Sequence, residues 1–221
     1  MLKITDLFDL TKTYPLAAEA LSKLTYAWEI LPGIKALIEK IGASLPEDEY
    51  DHPSETVWIA KDAKVYPTAY IGDHVIVGHK SEVRHGAFVR TTALIGANCV
   101  VGNSTELKNV ILFDGVQVPH YNYVGDSVLG YKAHMGAGSI TSNVKADRAD
   151  IVIHEGTESL QTPLHKIGAM LGDYAEIGCN AVLNPGVVVG RHSNVYPTSS
   201  VRGTVPENSI YKTGGVIVPK L

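Results

Sequence analysis

Residues 71–107 read IGDHVIVGHKSEVRHGAFVRTTALIGANCVVGNSTEL. Ile71, Val77, Val83, Val89, Ile95, Val101 and Leu107 stand six apart without a miss, and the period runs back through Val65 to Ile59. Four residues after each of the first eight comes a small or short side chain: Ala63, Ala69, Val75, Ser81, Ala87, Ala93, Cys99 and Thr105. Glycine often follows the aliphatic residue, as at Gly72, Gly78, Gly96 and Gly102, where its backbone freedom suits a turn. Helical apolar spacing is three and four, and sheet alternation is two. A strict six fits a short strand plus a sharp turn, repeated, and marks a parallel β-helix. Three hexads close one triangular coil. Coils stack at about 4.8 Å, so Ile59, Val77 and Ile95 form one inward column and Val65, Val83 and Val101 the next.

The period returns at Tyr123, Leu129, Met135 and Thr141, and again from Leu171 to Val201. It slips between Leu107 and Tyr123. A slipped register inside a regular array points to a site, because it re-aims side chains that would otherwise repeat. This segment reads Gly102-Asn-Ser-Thr-Glu-Leu-Lys108-Asn, then Val118-Pro-His120-Tyr-Asn-Tyr123-Val-Gly-Asp-Ser. Just before it, Arg84 and Arg90 occupy places that usually take a small residue; a guanidinium fork there can grip a phosphate.

Residues 1–50 carry no hexad. Leu16, Ala20, Leu24, Ala27, Trp28 and Leu31 predict one amphipathic helix ended by Pro32, and Ile34, Leu37, Ile38 and Ile41 a second stopped by Gly42. This pair reads as a helical N-terminal cap over the open end of the solenoid. The expected organisation is the cap at 1–50, a polar linker at 51–56, the β-helix at 57–206 with an excursion at 144–170, and a tail at 207–221. A net charge of −4 argues against a general nucleic-acid binder but leaves room for a local basic cluster. No apolar run reaches the roughly 18 residues of a membrane span, and the first residues lack a signal peptide's apolar core. A cytoplasmic protein with no membrane partner is the expectation. Cys99 and Cys179 do not make a disulfide framework.

The aliphatic-Gly-x-x-small-x pattern resembles that of the hexapeptide-repeat acyltransferases, whose coils wind left-handed. That hand runs against the usual crossover rule and is implied by the resemblance alone. Residues 57–212, most strongly Arg90 to Asn143, resemble the β-helix domain of glucosamine-1-phosphate acetyltransferase and of related sugar-1-phosphate nucleotidylyltransferases. The resemblance implies that Arg90 and Lys108 hold a sugar phosphate, that His120 is the general base, and that Tyr123 and Asn143 lie near the sugar. It implies that the backbone of Ala137 meets the acyl donor, acetyl-CoA. His134 stands where those enzymes have an asparagine. Cys179 and Pro197 match CoA-contact positions that are serine and alanine there. A homotrimer with sites between subunits, no bound metal and a place in UDP-N-acetylglucosamine biosynthesis follow from the same likeness.

The chemistry fits these residue types. N-acetylation needs a neutral amine, and a neutral imidazole of pKa about 6.5 can take the proton as the amine attacks a thioester. Backbone N–H groups of Gly136 to Gly138 are candidates to stabilise the oxyanion, and Lys108 and Arg90 to orient the phosphate. Three other functions compete with this one. His74 and His79 have the spacing of a γ-type carbonic anhydrase pair, but no histidine precedes them at two coils' distance; His52 lies outside the repeat. Nucleotidyl transfer would need a glycine-rich loop, and residues 1–50 hold only Gly33 and Gly42. A non-catalytic β-helix for oligomerisation or regulation is the third.

Overall fold

The structure is a computed structural model describing residues 1–220; Leu221, the end of the expected tail, lies outside them. From Val57 the chain climbs in three-sided coils. β2 (Val57–Ala60) lies on the first face, β3 (Lys64–Val65) on the second, and β4 (Tyr70–Val77) covers the third face and turns onto the first face of the next coil. β5 (Glu82–Val83), β6 (Phe88–Ile95), β7 (Val100–Asn103), β8 (Glu106–Leu112), β9 (Gln117–His120) and β10 (Tyr123–Leu129) repeat that alternation. Successive coils pair in parallel. Val77, Ile95, Leu112, Leu129, Leu171 and Val189 stack in register, and all six are fully buried. The molecule is the parallel β-helix that the hexads predict.

Glycine has a different job here from the one expected. Gly72 and Gly102 keep ordinary backbone angles; a Cβ on Gly72 would sit 2.0 Å from the Arg90 carbonyl oxygen, and one on Gly102 1.6 Å from that of Pro119. They permit coil-on-coil approach. The left-handed corner conformation is taken instead by residues such as Thr92, Asn109, Asp126, Ser104 and Tyr121.

The slipped period also resolves differently. Coils of 18 residues (Val77 to Ile95) give way to coils of 17, Ile95 to Leu112 and Leu112 to Leu129. The deletion falls at the corner between third and first faces, and the β6–β8 register shifts between Val89 and Thr91. Val124, not Tyr123, therefore stacks on Leu107 and fills the core. Tyr123 points outward above Glu106.

The N-terminal helices do not close the end of the stack. α1 (Ile4–Leu7), α2 (Pro15–Ser22), a 3-10 segment at Ala27–Gly33 and α3 (Ile34–Gly42) lie along the first face, α3 against β4, β6 and β8 and the 3-10 segment against β10. The reason is a second apolar column, pointing outward: Ile76, Leu94, Ile111, Val128 and Met170 stack in register and are all fully buried. A strand apolar on both sides needs cover on both. The single helix predicted through Leu31 is broken after Ser22, because the Glu29 carboxylate accepts from Thr25 and Tyr26 N–H, each at 2.8 Å, and starts a new turn there. β1 (Tyr50–Ser54), in the predicted linker, pairs antiparallel with β2 and finishes that edge. At the other end Ser209–Tyr211 pairs antiparallel with Ile217–Pro219.

After β11 (His134–Met135) and β12 (Ile140–Thr141) the excursion carries a hairpin, β13 (Val152–Glu155) and β14 (Glu158–Gln161). The chain then rejoins the first face, where Met170 lies on Val128. No helix among the described residues is long and apolar enough to cross a membrane.

Candidate active site

The shortened corner gathers the first group of predicted residues. Lys108 Nζ lies 2.9 Å and 3.0 Å from the two carboxylate oxygens of Asp126, one coil on. The amides of Asn109 (2.9 Å) and Asn143 donate to the same carboxylate, and Asn143 Nδ2 also reaches the Tyr123 hydroxyl at 3.2 Å. Asn109 and Asp126 are the corner residues in left-handed conformation, which asparagine and aspartate tolerate better than most. Burial pushes the Tyr123 phenol up, and the nearby Asp126 and Glu106 carboxylates add to it. Arg90, more than half exposed, makes only a 3.5 Å contact with Glu106.

The second group occupies the corner between second and third faces. His120 ends β9, and its carbonyl accepts from Gly138 N–H at 3.1 Å. The Ala137 carbonyl accepts from Asn180 N–H at 2.8 Å, and that of Cys179 from Thr198 N–H at 2.8 Å. His120, Ala137, Cys179 and Pro197 thus stand in successive coils down one edge, about 4.8 Å per step. The edge is tight: a Cβ on Gly136 would meet Cys179 N at 2.7 Å.

The three N–H groups proposed for an oxyanion are not equivalent. Gly136 N–H donates to Ile177 O at 2.7 Å and Gly138 N–H to His120 O. The Ala137 N–H alone of the three has no acceptor among the described residues. Only it remains for a ligand.

Tyr123, three residues after His120 along the chain, joins the first group through Asn143. His134 belongs to neither. It faces out from the second face, with Nδ1 2.8 Å from Glu176 Oε2, beside Gln117, Lys132 and Tyr174 around a cavity of about 520 Å³. His74 contacts Glu39 at 3.0 Å and His79 contacts Asp62 at 2.9 Å, so each ring of that pair has its own carboxylate.

Three residues escaped the sequence reading. Asp126 and Asn109 stand unmarked in the stretch around Lys108 and Tyr123, and their link to Lys108 depends on the shortened register. Tyr121, 58% exposed, adopts a φ of 39° beside His120, unusual for a bulky side chain, and its ring borders Gly138.

No protein-family model matches the chain. It is 28% identical over 156 residues to a bifunctional sugar-1-phosphate nucleotidylyltransferase/acetyltransferase of Sulfurisphaera tokodaii, covering 71% of this chain and 39% of that protein. It is 35% identical over 152 residues to the bifunctional protein GlmU of Brevibacillus brevis, covering 69% of this chain and 25% of that one. The chain spans about a quarter to two-fifths of the length of these relatives. Among solved structures, a hexapeptide transferase family protein from Anaplasma phagocytophilum aligns with a TM-score of 0.41 at 14% identity, covering 75% of this chain and 79% of that one. The chain's relatives are the bifunctional sugar-1-phosphate nucleotidylyltransferase/acetyltransferases and GlmU proteins, and it carries the hexapeptide-repeat fold that the resemblance in its sequence implied.

Proposed function

We propose that the protein is a CoA-dependent sugar N-acetyltransferase, moving acetyl from acetyl-CoA to the amine of a sugar phosphate of the glucosamine-1-phosphate type. The observation that carries this is the stacking of His120 on Ala137 at one corner, with the Ala137 N–H left over for a ligand. The thioester carbonyl accepts from that N–H. The amine attacks the carbonyl carbon, the C–N bond forms, and the His120 imidazole takes the amine proton. The C–S bond then breaks and the proton passes to the departing thiolate. Preorganised donation to the developing oxyanion is commonly worth about 3 kcal/mol.

Arg90 is the freer of the two cations and is assigned to the phosphate. Lys108, already matched by Asp126, is assigned to the floor of the sugar site with Tyr123 and Asn143. A homotrimer is the proposed assembly, with the site completed between protomers. Tyr70 (58% exposed) and Phe88 (40% exposed) lie on the third face with ring centroids 5.3 Å apart and planes tilted by 51°; Glu106 and Tyr123 follow them on the same outward side. Such an exposed aromatic pair suits a contact between copies. UDP-N-acetylglucosamine formation in the cytoplasm is the proposed setting.

The test is release of free thiol from acetyl-CoA by the purified protein, with a panel of amino-sugar phosphates. One of them should be consumed, and Arg90→Ala should raise its KM while the donor's stays put. If CoA binds but no amine is acetylated, the reading of a non-catalytic β-helix replaces this one.

A further inference from the structure

The excursion folds back on the prism and encloses a cleft that acetyl transfer leaves unused. The hairpin sits on the third-to-first corner through two glycines. A Cβ on Gly186 would lie 2.7 Å from Ile151 Cγ2, and one on Gly203 3.3 Å from the His154 carbonyl oxygen. Thr204 Oγ1 donates to that carbonyl at 2.8 Å, and Leu2 N–H donates to Glu155 at 2.8 Å. With the hairpin pinned on both sides, the gap beneath it is preformed.

That gap is a cavity of about 240 Å³. A second of about 410 Å³ adjoins it and shares Lys145, Asn184, Pro185 and Arg202. Together they fall within the roughly 300–1,000 Å³ of small-molecule sites. Arg202 is exposed and has no ion-pair partner among the described residues, and Lys145 reaches Asp147 only at 3.4 Å. His154 adds a ring nitrogen donor or acceptor. Asn184 is fixed, its Nδ2 donating to Val201 O at 2.7 Å. Two cations against the one carboxylate of Asp147 leave the cleft net positive in a chain of net charge −4, which marks it for an anion. Val152 and Pro185, both half-buried, make the rest of the wall apolar, which a bare phosphate would not need.

We propose that this cleft binds a nucleoside phosphate, its phosphates on Arg202 and Lys145 and its nucleoside against Val152 and Pro185. The guanidinium fork matches phosphate oxygens bidentately. The site is separate from the His120–Pro197 edge, since the third face lies between them, and it lies further along the corner that carries Lys108 and Asn143.

Calorimetric titration of the intact protein with ADP, UDP, inorganic phosphate and CoA tests the assignment. ADP or UDP should bind more tightly than phosphate, and less tightly as salt is raised. Arg202→Gln should weaken the nucleotide at least about tenfold, some 1.4 kcal/mol, with CoA affinity unchanged. Val152→Trp, which fills the cavity and keeps both cations, should abolish nucleotide binding; if it lowers the melting temperature, Arg202→Gln decides alone. The proposal falls if neither nucleotide binds, or if phosphate binds as tightly as ADP. It also falls if Arg202→Gln weakens CoA as much as nucleotide, since the cleft would then belong to the donor.

Discussion

Lys108 and Asp126 join successive coils by an ion pair, Nζ 2.9 Å from Oδ1, with the Asp126 side chain 5% exposed and that of Lys108 21%. Two amides complete the carboxylate's shell, so the cation serves first to neutralise a buried charge. Removing one partner of a buried pair typically costs about 3–5 kcal/mol. Lys108→Ala should therefore lower the unfolding free energy by about 3 kcal/mol, the low end because the amides remain. Lys108→Ala with Asp126→Asn should recover most of it. Chemical denaturation of the three proteins checks this. A stable Lys108→Ala protein with only a raised sugar-phosphate KM would restore Lys108 as a direct phosphate ligand.

His120 has the opposite character. Its side chain is exposed, and only its backbone takes part in the corner ladder. His120→Ala should leave melting temperature and CoA affinity unchanged while lowering turnover by about 10² or more, the usual worth of a positioned base. Steady-state rates with saturating acetyl-CoA read this out, and full-rate turnover would remove His120 from the mechanism.

The prism was legible because one physical constraint, a single inward aliphatic per side, repeats at fixed spacing. The outward column was equally present in the sequence, as Val75-Ile76-Val77, Ala93-Leu94-Ile95 and Val110-Ile111-Leu112. The six-residue pattern counts only the inward members, the first and third of each triplet, so the middle residue carries no mark in it and the helices are expected over the end. The proposed site residues His120 and Ala137 come from the resemblance and not from the spacing, and the Lys108–Asp126 contact depends on a one-residue deletion whose place the spacing alone does not fix. Counting the deletion from Tyr123 rather than Val124 made an outward phenol look like core.

Leu94 tests whether the helical segment belongs to the core of the prism. It is fully buried between Ile76 and Ile111 on the outward side, under α3. Leu94→Ala should cost about 2–5 kcal/mol, as much as an inward substitution such as Leu112→Ala. Thermal unfolding should remain a single transition in both. A near-neutral Leu94→Ala would mean that the helices cover the face without packing into it.

The two thiols report on the edge assigned to the acyl donor. Cys99 fills an inward slot, with Sγ 3.1 Å from the Phe113 carbonyl oxygen, and burial pushes its pKa up to about 12. Thiolate is the reactive form, so Cys99 should resist alkylation at about pH 8 until the protein unfolds. Cys179 is exposed on the edge below Ala137. Iodoacetamide should therefore modify one thiol in the native protein and two in denaturant, with peptide mass mapping placing the first at Cys179. Saturating acetyl-CoA, whose sulfur is capped and does not consume the reagent, should slow that reaction at least about tenfold if the donor lies along the His120–Pro197 edge, whereas ADP should leave the rate unchanged. Labelling of Cys179 at the same rate with and without acetyl-CoA would put the donor somewhere else on the prism.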